Sequence, residues 1–115
     1  MNFSDSTSLL NHATEQVLYD KLVEQLIKDF ALANIDIDLY AEILPRSLRE
    51  ILHEKVYYLI LEKFTKYLNL LYVIDVAEKE FKSIKVTDAV EVADQVTFLI
   101  LKRELQKVQL KTKYS

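Results

Sequence analysis

Not one of the 115 residues is glycine, and that absence restricts the fold more than any residue present. Average usage is about 7 %. Glycine reaches the positive φ angles of tight hairpins and bulges at no steric cost, and it lets backbone approach phosphate closely. A chain without it is expected to be helices joined by short, unstrained turns. The glycine-rich phosphate cradles of nucleotide-binding proteins are also missing. There is no cysteine, which excludes disulfides, thiolate metal sites and a cysteine nucleophile and agrees with a cytoplasmic setting.

Half of the residues are hydrophobic and 29 % are charged, enough to build a globular core. The longest apolar run is six residues, Val56 to Leu61, far short of the roughly 18 that a membrane span needs. Met1-Asn2-Phe3-Ser4-Asp5 places no basic residue before an apolar stretch, so no secretory signal is expected. The net charge of −3 is unevenly spread: nine acids face four bases in residues 1–50. Near the C-terminus the balance reverses, with Lys102, Arg103, Lys107, Lys111 and Lys113 set against Glu104.

Residues 1–9 are polar and aperiodic and read as a flexible N-terminal arm, followed by a single helical-bundle domain over 10–115. From about Asn11, the spacing of Tyr19, Val23, Leu26, Phe30 and Ala33 predicts one amphipathic helix ending at Asn34, a residue that tolerates a left-handed cap. Ile35-Asp36-Ile37-Asp38 alternates like a strand, but Asp38 is expected to cap a short helix reaching Leu44. Pro45 should then end that helix. Ser47-Leu48-Arg49-Glu50 matches a capping box. It would open a long helix to about residue 72, with Leu52, Val56, Leu59, Phe64, Tyr67, Leu68 and Leu71 in its buried stripe. For Leu70 to Val76 a helix is preferred over a strand, because no second strand exists to pair with it.

Asp75-Val76-Ala77-Glu78 suggests a capped short helix to about Ser83, and Thr87 or Asp88 a cap for the last helix. In that helix Val96, Phe98, Leu99, Ile100, Leu101 and Leu105 make the surface apolar nearly all round, as at the centre of a bundle or in a contact between chains. The fold expected is all-α: a small irregular bundle of three long and two short helices.

Candidate chemistry is sparse. His53-Glu54-Lys55-Val56-Tyr57 begins like His-Glu-x-x-His but lacks the second histidine, and with it a ligand that zinc requires. Asp36 and Asp38 suit loop and cap duty better than cation binding. Arg46 and His53, with Arg49 between them, make an arginine-spacer-histidine element that is similar to that of HEPN-type small helical ribonucleases. The resemblance implies a metal-independent ribonuclease with the pair at a dimer interface; Ser47, where that family has a polar residue, also reads as a helix cap.

The basic residues Lys102, Arg103, Lys107, Lys111 and Lys113 could meet phosphates or another anionic partner, which defines a nucleic-acid-binding alternative, though positive charge also complements a helix C-terminus. Seven tyrosines include the adjacent Tyr57 and Tyr58, which must point in different directions, so one is expected to leave the core. No cofactor and no enzymatic activity is expected. The leading expectation is a non-enzymatic interaction or scaffold module acting as a homodimer. Its contact is expected at Val96, Phe98, Leu99, Ile100, Leu101 and Leu105, joined by Tyr57 and Tyr58.

Overall fold

The computed structural model describes residues 3–114. Among them are six helices and no strand: α1 (Ser6–Glu15), α2 (Tyr19–Leu32), α3 (Pro45–Glu62), α4 (Phe64–Ile74), α5 (Glu78–Lys82) and α6 (Ala89–Tyr114). The all-α expectation holds. Every other helix touches α6, whose Ala93, Val96, Ile100, Leu101 and Leu105 lie in the core. Its nearly all-round apolar character therefore belongs to a central helix of one chain.

Two of the expected long helices are broken, for one physical reason. The α1 stripe of Leu9, Leu10 and Ala13 would continue in a straight helix through Val17, Asp20 and Glu24, forcing two acids into the core. Instead the chain turns at Val17, which adopts φ 57°. Leu18 N–H then bonds Ala13 O (2.8 Å) and Val17 N–H bonds Thr14 O (3.1 Å). That double closure is a Schellman cap. The same argument explains the break at Lys63 (φ −141°, ψ 58°) between α3 and α4. In a straight helix Lys63 would share a face with buried Val56 and Leu59, seven and four residues back. Rotating one residue turns Lys63 and Lys66 out to solvent and rephases the stripe onto Tyr67, Leu70, Leu71 and Ile74.

Helix starts also differ from expectation. Residues 6–9, read as arm, form the first turns of α1: Asp5 accepts Ser8 N–H at 2.8 Å, and Leu9 and Leu10 are buried. Met1 and Asn2 of that arm, and Ser115, lie outside the described residues. Pro45 opens α3 rather than ending a helix before it, at a position where its missing N–H is no loss. Ser47 thus sits inside the first turn, and Glu50 pairs with Arg46 instead of reaching back to a cap. No helix forms over 38–44. The chain instead turns at 41–42, where Ile43 N–H bonds Tyr40 O at 3.1 Å, and the alternation over 35–39 places Ile35, Ile37 and Leu39 against the core with Asp36 and Asp38 in solvent.

Three expectations at helix ends hold. Asn34 is left-handed (φ 58°) at the end of α2, with Ile35 N–H bonded to Phe30 O. Residues 70–74 are helical, closed by left-handed Asp75 (φ 69°). Asp88 caps α6 by accepting Glu91 N–H at 2.9 Å. Asp75, however, ends α4 rather than capping α5, which starts behind Ala77 without a side-chain cap.

Candidate functional site

The residues expected at a subunit contact divide sharply. Val96, Ile100 and Leu101 are 0 % exposed and Leu105 is 2 % exposed, so none of the four is free to meet another chain. Phe98 and Leu99 are half-buried and line a cavity of about 380 Å³ with Arg49, Glu80 and Asp94. Tyr57 and Tyr58 do emerge from α3, and Lys55 lies over the Tyr58 ring at 5.7 Å.

An exposed apolar surface exists elsewhere. Phe64, Leu68 and Tyr72 occupy positions i, i+4 and i+8 of α4 and are 54 %, 45 % and 83 % exposed. Helical periodicity stacks them in one stripe. Leu61 and Tyr57, one and two turns back along α3, are exposed as well. Placing Phe64 and Leu68 in the core, as one unbroken helix from 47 to 72 requires, is therefore wrong: the turn at Lys63 moves both outward. The signal was present in the sequence, since Lys63 and Lys66 cannot continue the buried stripe.

The basic C-terminal residues mostly face their own chain. Lys102 pairs with Glu80 of α5 and Arg103 with Asp75. Lys107 lies between Asp29 and Glu104, Lys111 donates to Gln25 Oε1, and Lys113 stands over the Tyr114 ring. Their charge joins α6 to α2 and to the α4–α5 corner, which leaves less of it to meet phosphates than the sequence suggests.

At the α2–α6 contact two carboxylates are buried together. Glu104 is 0 % and Asp29 3 % exposed. Burial pushes the Glu104 carboxyl up to about 8, reinforced by Asp29 beside it. Burial opposes the ionised Asp29 too, but hydrogen bonds with Glu104, Lys107 and Gln25 prevail and hold it below the ordinary range. Paired carboxylates with separated affinities can do acid–base chemistry, but here burial closes the pair to any substrate.

Arg46 and His53 fall two turns apart on one side of α3. Arg46 is exposed and ion-paired to Glu50, while His53 Nε2 lies 3.2 Å from Val90 O. His12 sits on α1 against the Phe3 ring, 5.2 Å between centroids. Among the described residues no group of three or more His, Asp or Glu side chains could hold a metal ion, and no helix is long and apolar enough to cross a membrane.

No family model matches the chain, nor does any curated protein or solved structure.

Proposed function

We propose that this chain is a non-enzymatic protein-interaction module that works as a homodimer, two copies packing α4 against α4 in antiparallel. The observation that carries this reading is the exposed stripe of Phe64, Leu68 and Tyr72. A two-fold axis at Leu68 sets Leu68 on its own copy and each Phe64 against the partner's Tyr72, the self-complementary pattern that a symmetric contact demands. Charge agrees with that pairing. Lys66 is the one charged residue of α4, so no like charges meet along the stripe. The antiparallel arrangement also brings the Lys63 and Lys66 end of one helix toward Asp75 at the end of the other.

With Leu61 and Tyr57 included, the uncovered side-chain area is on the order of 500 Å² per copy, scaled from what aromatic side chains bury. Doubled, that falls near the lower bound of roughly 1,200 Å² for specific association and fits a contact that forms at high protein concentration. Light scattering after size exclusion, at high micromolar concentration and two salt concentrations, tests it. The expected mass is twice 13.5 kDa and insensitive to salt; Leu68→Glu should give a monomer with unchanged helicity. Leu110→Glu, at an exposed apolar residue of α6, should remain dimeric. A monomeric parent protein overturns the reading, and a dimeric Leu68→Glu overturns its placement on α4.

A further inference from the structure

A buried cluster joins the C-terminal half of α6 to α2. Lys107 Nζ lies 2.5 Å from Asp29 Oδ2 and 2.8 Å from Glu104 Oε1, so one ammonium serves two carboxylates. Gln25 donates to both Asp29 oxygens at 3.1 and 3.2 Å and accepts from Lys111 at 2.6 Å. Asp29 is thus richly supplied with donors. Glu104 is not: beyond the Lys107 ion pair, neither of its oxygens has a directed hydrogen-bond donor among the described residues. With both carboxylates ionised, the Lys107 ammonium would face two negative charges at a site where Glu104 is 0 % exposed, while Lys111 reaches the cluster only through Gln25; that is strongly unfavourable. A proton on Glu104 removes one of those charges and gives the carboxyl a hydrogen bond to donate to its neighbour.

We infer that Asp29 and Glu104 hold one proton between them at neutral pH, and that losing it in mildly alkaline solution loosens the C-terminal half of α6 from α2. The charged groups that act on Glu104 are Asp29 from α2 and Lys107 from its own helix. Arg103 and Lys102 on α6 turn to Asp75 and Glu80. Lys21, Glu24, Lys28 and Lys111 line the outer side of the α2–α6 groove. Little apolar contact replaces the cluster once it opens. Beyond Leu105 the buried apolar residue of α6 is Val108, while Leu110 and Tyr114 are exposed.

The sign follows from linkage. Glu104 binds its proton more tightly folded than unfolded, so its contribution is fully present below the ordinary glutamate range. That contribution is lost as pH rises toward about 8. Carboxyl NMR of the 115-residue chain, with Glu104 assigned through its own side-chain correlations, should show it titrating well above the ordinary range. A Glu104 carboxyl that titrates near the usual glutamate value overturns the inference. Thermal unfolding reads the consequence: the parent protein should lose at least about 5 °C between pH 6 and pH 9.

Glu104→Gln keeps a neutral donor toward Asp29 and should abolish most of that loss. A parent protein that melts equally at both pH values overturns the inference. So does a Glu104→Gln variant that loses as much as the parent. Hydrogen exchange at pH 9, corrected for intrinsic rates, should place the added opening in residues 104–112. Uniform loosening of all six helices would overturn the assignment to α6.

Discussion

Glycine at position 17 should make the protein more stable, although the change removes a side chain. Val17 holds φ 57°, which costs an L-residue roughly 1–2 kcal/mol and a β-branched one more, since its side chain crowds the backbone there. Nothing offsets this through burial, because the side chain is 86 % exposed. Both hydrogen bonds of the cap use main-chain groups, Val17 N–H to Thr14 O and Leu18 N–H to Ala13 O, and survive the substitution. Against the relief stands the greater freedom of glycine in the unfolded chain, about 0.5–1 kcal/mol. The net gain expected for Val17→Gly is about 1 kcal/mol. With a urea dependence of about 2 kcal/mol/M, ordinary for a chain of this size, the unfolding midpoint should rise by roughly 0.5 M at unchanged slope. Val17→Ala keeps Cβ and should recover only a minor part. A midpoint for Val17→Gly at or below that of the parent would refute the reasoning.

Lys107→Met should destabilise by about 3 kcal/mol at pH 7, because it strands the ionised Asp29, buried beside a protonated Glu104, without its cation; urea unfolding measures it, and a change below about 1 kcal/mol contradicts that role. On the acid side Asp29 governs: its carboxyl is held below the ordinary range, so its contribution is present above that range and disappears as pH falls through the lowered value. The parent protein should therefore weaken from pH 4.5 to 2.5, and Asp29→Asn should weaken less over the same interval, by urea midpoints at each pH.

Helix type, and several helix ends, were legible because they depend on neighbours in sequence. Asn34 and Asp88 act where their side-chain chemistry predicts, and the alternation from Ile35 to Leu39 marks a non-helical segment with one side on the core. The breaks at Val17 and Lys63 were legible in principle, since Asp20, Glu24, Lys63 and Lys66 interrupt stripes that hydrophobic spacing alone extends. The exposed face of α4 was missed for the same reason. The all-round apolar middle of α6 left two readings open, the centre of a bundle or a contact between chains. Only packing against the other five helices decides between them. Glu104 falls on the α6 stripe between Leu101 and Leu105, visible as a misplaced charge. The Asp29–Lys107 pairing beside it spans 78 residues, and no local pattern announces it.

At the junction Lys63 serves both helices, its N–H closing α3 on Leu59 O at 2.9 Å and its carbonyl opening α4 by accepting Tyr67 N–H at 3.0 Å. The helical ladder stops and restarts at this one residue (φ −141°, ψ 58°), and the identity of the outward-facing side chains changes across it. One pair of torsions thus decides which side chains of α4 meet solvent, and with the bend in place Phe64, Lys66, Leu68 and Tyr72 all do. Any substitution that alters the torsional preference of residue 63 rewrites the outer surface of eleven residues of α4 without touching one of them.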